Sequence, residues 1–405
     1  MNRDKTGTAW GIVLIALSAG IVAGVQVGKV PPVLPVLREE LGIDLVTAGW
    51  VASLFSGCGA LLGLAAGLIA DRIGVRPVIY NCTILMGAGS LIGAAASTVE
   101  ALLLGRLIEG VGFVGIVVAA PAVITSVSRP EDRSLTLSVW GIYMPAGMAL
   151  AMATSPFLLD LIGWRGIWFV NVILIAGCLL GLVRYLAPHR WSDPALSAGG
   201  KRAWRDVRRT LSMPGPWILG GCFALYTIQY FAVMTWLPTF LIESMGRASE
   251  TAALISAAVV FVNSFGNLSA GWLLRRGCRP WPLIALAFAA MGFTSVGIFS
   301  GAAPDFFKVP LAFTFGAVGG LLPAAVLASA PEHSPSREQV GTTNGIIVQG
   351  ANCGSLLGPP LMAMAVSFLG GWENSYWVML LCSIVGIGFV MRLKVSERSM
   401  PSRPE

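Results

Sequence analysis

Charge is scarce in this chain. Lys, Arg, Asp and Glu make up 12% of its 405 residues, about half the ~25% of a typical soluble domain. Histidine is rarer still, with only His189 and His333, both in polar connecting segments. The seven cysteines are an odd number, and all but Cys278 sit inside apolar runs without metal-ligand spacing. No disulfide framework or metal centre is implied. A membrane-embedded enzyme would need His, Asp or Cys clustered at one face. The sequence offers no such cluster, so neither enzyme chemistry nor a cofactor is expected.

Long apolar sequence is abundant instead. Runs able to cross a ~30 Å hydrocarbon core occupy residues 9–31, 47–70, 76–97, 100–127, 134–160, 165–187, 215–240, 250–274, 280–301, 307–330, 339–366 and 373–393. The expected fold is an all-α membrane protein of twelve transmembrane helices. The first run follows Arg3 and Lys5 but is longer than a signal-peptide core and is succeeded by further spans, so it reads as retained.

The net charge of +7 raises the question of a nucleic-acid partner, and its distribution answers it. With both termini placed inside, 21 of the 27 Lys and Arg residues fall on the cytoplasmic side, and only Arg38, Arg165, Arg247 and Lys308 lie outside. The acids divide almost evenly. This is the positive-inside pattern, which counts Lys and Arg rather than net charge. The expected location is a bacterial-type inner membrane, with a lipid bilayer and no nucleic acid as partner.

The longest polar segment, 188–214, is basic and separates six spans from six. It reads as a cytoplasmic linker between halves 1–187 and 215–405, and "KRAWRDVRRT" within it has the make-up of a surface-lying amphipathic helix. The halves repeat one another. "LPVLREELG" from residue 34 resembles "LPTFLIESMG" from 237, and "GIYMPAGMALAMATSPFLL" from 141 resembles "GIIVQGANCGSLLGPPLMA" from 345. Each last span follows a Gly-Trp pair, at 163–164 and 371–372. Duplicated six-span units mark transporters whose halves move about a midplane site.

"GLIADRIGVRP", residues 67–77, joins the second and third spans. It resembles the G-x-x-x-D-R-x-G-x-[RK]-[RP] loop of the major facilitator superfamily, and every fixed position is present. The resemblance extends over the whole chain and implies two pseudo-symmetric six-helix halves working by alternating access. It implies a conformational latch at Gly67, Asp71, Arg72, Gly74 and Arg76. "RLIEG" from Arg106 is similar to the family's R-x-x-[QE]-G motif, whose arginine faces the central cavity. "YMPAGMAL" departs from the paired-glycine motif of the drug-exporting branches. "GKVPPVLPVLREELG" with "GWVASLFSGCGALLG" is similar to the cyanate-permease-like branch.

A few polar residues interrupt the spans, where a charge costs ~2.5–3.5 kcal/mol even on insertion scales. Gln26 and Lys29 share one face of the first span. Lys29 either faces the transport pathway or snorkels to the outer headgroups. Gln229, with Tyr226 and Tyr230 beside it, is the repeat partner of Gln26. The two glutamines serve either as substrate contacts or as interhelical hydrogen bonds. Tyr143 in the fifth span is a further candidate contact. Asn263, Asn267, Gln349 and Asn352 read as packing hydrogen bonds.

Arg106 and Glu109 are three apart on a helix, so each offsets the other's burial through a charge-assisted hydrogen bond. Glu109 is the one carboxylate placed inside a span, which makes it the expected proton carrier. Lys29, Arg106 and Glu109 together carry a surplus of one positive charge, which favours an anionic substrate. The expected function is secondary active transport, as proton-coupled uptake of a small organic anion. The alternative is export of drugs or metabolites by proton antiport. The candidate substrate contacts are Gln26, Lys29, Arg106, Tyr143, Gln229 and Tyr230.

Overall fold

The computed structural model describes residues 7–61, 73–187, 208–301, 303–336 and 339–399, and the described residues are helical apart from short connections. Ten described helices are long and apolar enough to cross a membrane, and Leu45–Leu61 is a shorter apolar helix. One of the ten, Leu135–Leu186, holds two spans. Gly163 divides it with φ 67° and ψ 174°, a conformation that glycine adopts without a Cβ clash. Leu45–Leu61 is the described part of the second span, so the total is twelve. Most of the 188–214 linker, including Trp204, lies outside the described residues.

The chain forms two compact units. One is Met1–Ser197 with Arg247–Ala257, and the other is Ala198–Gly246 with Ala258–Glu405.

Each unit repeats the other's fastenings. Trp164 Nε1 donates to Glu40 Oε2 at 2.7 Å, tying the last span of the first unit to its first. In the second unit Trp372 Nε1 donates to Glu243 Oε2 at 3.0 Å. The first span of each unit ends on a left-handed glycine, Gly42 at φ 62° and Gly246 at φ 61°, the usual helix C-terminal signal. A Cβ at Gly147 would lie 2.3 Å from Ile21 O, and one at Gly350 would lie 2.2 Å from Gly220 O. Small residues at these equivalent points let the backbones of the first and fifth spans, and of the seventh and eleventh, approach closely.

Several spans are broken among the described residues, and two of the breaks build the site. The first helix, Trp10–Gly28, stops at Lys29, a 3-10 turn covers Pro31–Val33, and Leu34–Leu41 resumes. Pro31 and Pro32 have no N–H to continue the ladder, and their rings clash with the preceding turn. The second span begins at Leu45 under Asp44, whose side chain accepts from Thr47 N. It runs to Ser53 and tightens to a 3-10 turn at Leu54–Ser56. The tenth span divides into Asp305–Gly319 and Leu321–Ser329, with Pro323 as the cause.

Candidate functional site

Helix ends leave unsatisfied carbonyls, and the two broken helices leave theirs around Arg106. Its Nε donates to Val51 O at 3.0 Å and its Nη2 to Ala52 O at 3.4 Å, both in the last turn of the second span's first helical segment. Nη1 donates to Gln26 O at 2.9 Å, in the last turn of the first helix. One guanidinium therefore closes the C-terminal ends of two helices, where the helix dipole favours a cation. The Phe55 ring covers it, with Cζ 4.7 Å from the ring centroid.

Nη1 of Arg106 also meets Glu109 Oε2 at 2.5 Å, the pairing that their spacing on the helix implies. The other carboxylate oxygen is held from two further spans. Lys29 Nζ lies 2.7 Å from Glu109 Oε1, and Ser90 Oγ donates to the same oxygen at 2.6 Å. Gln26 Oε1 accepts from Lys29 Nζ at 2.5 Å, and Gln26 Nε2 donates to Asn171 Oδ1 at 3.2 Å. Trp168 presents its ring face to Lys29, with Nζ 4.4 Å from the centroid. Gln26, Lys29, Ser90, Arg106 and Glu109 are all 0% exposed.

Lys29 consequently does not snorkel. The helix break beside Pro31 leaves it at a helix C-terminus, and its ammonium turns inward to Glu109. Arg106 and Lys29 also differ in how they are held. Arg106 is fixed by backbone carbonyls, whereas Lys29 is held by the side chains of Gln26, Glu109 and, more weakly, Ser90 at 3.4 Å.

Glycines bring the spans close enough for these contacts. A Cβ at Gly89 would lie 2.6 Å from both Glu109 N and Gly105 O, and one at Gly110 would lie 2.2 Å from Phe55 O. The third and second spans are thereby drawn against the fourth.

The remaining candidates lie elsewhere. Tyr143 stacks on Trp140 at 4.3 Å and 19°, on the part of the fifth span packed near Gly20 and Gly24. It takes no part in the charge network. Gln229 belongs to the second unit, where its Oε1 accepts from Ser383 Oγ at 2.9 Å and its Nε2 donates to Leu225 O at 3.2 Å. It joins the seventh and twelfth spans as Gln26 joins the first and sixth. Tyr230 stacks on Tyr226 at 5.6 Å. Asn263 is a packing residue, donating to Tyr226 Oη at 3.1 Å and Gly316 O at 3.0 Å. In the latch loop, Gly67, Asp71 and Arg72 lie outside the described residues. Gly74 takes φ 88° ahead of the helix Val75–Ala94, and Arg76 packs over Tyr80 at 5.6 Å.

Residues 8–339 match the family model of the Major Facilitator Superfamily, and the chain belongs to that family. It is therefore a multi-pass secondary transporter and not an enzyme. Its relatives include the 3-(3-hydroxy-phenyl)propionate transporter of Escherichia coli (strain K12), 26% identical over 88% of this chain and 87% of that one. A Thermus thermophilus protein described as "Probable nitrate/nitrite antiporter NarK1" is 26% identical over 86% of this chain and 83% of its own length. Among solved structures, a bacterial homologue of the human lysosomal transporter Spinster aligns at TM-score 0.78 and 16% identity, covering 99% of this chain and 100% of that one. The D-xylose–proton symporter aligns at TM-score 0.75 and 17% identity, covering 95% and 97%. These two likenesses establish the twelve-helix fold.

Proposed function

We propose that this chain takes up a small organic anion together with protons across a bacterial inner membrane, with both termini cytoplasmic. The observation that carries the reading is the buried network of the first unit, in which two cations share one carboxylate. A surplus positive charge in a dry interior is costly, and an anion would neutralise it. The names of the relatives agree, since hydroxyphenylpropionate, nitrate and nitrite are all anions.

In this mechanism the anion competes with Glu109 for a cation. Arg106 is committed to three backbone carbonyls, so Lys29 is the partner that exchanges. A buried carboxylate deprived of one cation takes up a proton, and the proton travels with the anion. Gln26 and Ser90 hold Lys29 in the empty state. Gln229, Tyr230 and Tyr143 contact the substrate at other stages of the cycle, and the 67–76 loop latches one state.

The test is uptake into proteoliposomes under an imposed proton gradient, with 3-phenylpropionate as the probe. Accumulation that follows the gradient and vanishes in Glu109→Gln is expected. Accumulation that ignores the gradient, or transport confined to lipophilic cations, contradicts the proposal.

A further inference from the structure

Ser90 carries one hydroxyl hydrogen and faces two acceptors. Its Oγ lies 2.6 Å from Glu109 Oε1 and 3.1 Å from Gln26 Oε1, and it accepts weakly from Lys29 Nζ at 3.4 Å. A hydroxyl has one hydrogen to donate and two lone pairs, so it cannot serve both acceptors at once. While Glu109 is ionised the carboxylate takes the hydrogen, because a short charge-assisted bond is the stronger of the two. Gln26 Oε1 is then satisfied by Lys29 Nζ at 2.5 Å.

The second acceptor is held in a fixed orientation. Asn171 Nδ2 donates to Ile167 O at 2.8 Å, which turns Asn171 Oδ1 toward Gln26 Nε2 at 3.2 Å. With its nitrogen so engaged, Gln26 presents its oxygen to Ser90. The third span is pressed against the fourth at the same level, since a Cβ on the neighbouring Gly89 would lie 2.6 Å from Glu109 N.

A protonated Glu109 needs the reverse arrangement. Among the described residues its side-chain hydrogen-bond partners are Arg106, Lys29 and Ser90. Arg106 from its own span and Lys29 from the first are the charged groups that face it, and neither has a lone pair to offer. Arg106 occupies Oε2, so the proton goes to Oε1, the oxygen that Lys29 gives up. Ser90 Oγ is then the acceptor for the new O–H.

We infer that Ser90 is a two-position hydroxyl switch that positions Glu109 for proton uptake. The inference rests on the anion–proton exchange proposed above and adds a positioning residue to it. When Lys29 leaves with the anion, a proton from solution bonds to Glu109 Oε1, which donates it to Ser90 Oγ in a hydrogen bond. Ser90 keeps its own hydrogen, rotates, and donates to the Gln26 Oε1 that Lys29 has vacated. Without Ser90 the buried acid would hold an unpaired O–H, which is costly. The one hydroxyl thus serves the ionised carboxylate before the exchange and the neutral acid after it, widening the gap between the two proton affinities from which coupling arises.

The experiment is infrared difference spectroscopy of the purified full chain between mildly alkaline and mildly acidic pH, above the titration of the saturating probe, 3-phenylpropionate. Wild type is expected to show a protonated carboxyl band that Glu109→Gln lacks. In Ser90→Ala that band should move to higher frequency, as a carboxylic acid does when its O–H loses an acceptor, and Ser90→Thr should restore it. The gain in anion affinity on acidification should shrink about threefold or more in Ser90→Ala, the scale of one hydrogen bond, and recover in Ser90→Thr. If Ser90→Ala does not fold, Ser90→Cys carries the same expectation, since a thiol is a weak hydrogen-bonding group. A band and an affinity gain that stay unchanged in the folded variant would make Ser90 a packing hydroxyl and overturn the inference, although the exchange reading stands. Equal shifts in Ser90→Ala and Ser90→Thr would assign the effect to packing and overturn it as well. If wild type binds the anion but shows no Glu109 band, the underlying reading fails and the inference with it.

Discussion

Lys29 and Arg106 are both cations that contact Glu109, yet their surroundings assign them different work. Arg106→Ala removes a guanidinium that closes two helix ends and strands the carbonyls of Gln26, Val51 and Ala52, so it should destabilise the fold by about 1–3 kcal/mol for each buried group left unpaired. Lys29→Met removes the surplus buried cation and leaves Arg106 as the charged partner of Glu109. Its thermal midpoint should match or exceed wild type while anion binding is lost. Thermal unfolding of both variants in one detergent checks the contrast, and equal losses of stability would contradict it. Arg106→Lys should rescue poorly, because an ammonium cannot span carbonyls on two helices and a carboxylate at once. The Arg106–Glu109 contact was legible in the sequence because three residues on a helix fix it. Lys29–Glu109 was not legible, since 80 residues separate them and only the packing of the first span on the fourth joins them. Ser90 and Asn171 were missed for the same reason: a lone Ser or Asn in an apolar run has no local signal of its partner.

At the scale of elements, the breaks in the first two spans position the site. The Pro31–Pro32 pair is a local signal for the first break, which the span drawn over 9–31 did not use. The 3-10 turn at Leu54–Ser56 had no such announcement, because nothing in "SLFSG" forbids a helix; the turn accompanies the diversion of the Val51 and Ala52 carbonyls to Arg106. Close packing should be equally strict at Gly110. A Cβ there meets Phe55 O at 2.2 Å, a backbone atom that cannot swing aside, so Gly110→Ala should cost about 1–3 kcal/mol. A lowered thermal midpoint with reduced uptake would agree, and an unchanged midpoint would show that the second span shifts freely. Asp44 caps the second span's helix. Its hydrogen bonds to Thr47 hold its carboxyl below the ordinary carboxylate value. A depressed value means that the cap stabilises the protein above the ordinary carboxylate value and is lost as pH falls from there through the lowered folded-state value. Asp44→Ala should cost about 1 kcal/mol at neutral pH, and the difference from wild type should shrink in acid.

At the scale of the whole molecule, the span count, the duplication and the family loop were all readable, because hydropathy and repeated phrases survive without knowledge of contacts. The proposed orientation, drawn from the Lys and Arg asymmetry, puts residue 200 in the cytoplasm, and a reporter fusion there should be active only in the inner compartment. The central claim is that Glu109 links proton and anion binding through Lys29. Linkage makes the effect mutual, so a proton taken up with the anion must strengthen anion binding as pH falls, by up to about tenfold per pH unit for one proton. The direct measurement is the dissociation constant of 3-phenylpropionate against pH, above the carboxylate's own titration, for wild type and Glu109→Gln in parallel. The account predicts a wild-type affinity that rises steadily on acidification and a Glu109→Gln affinity that is nearly flat. Two curves of equal slope would contradict it.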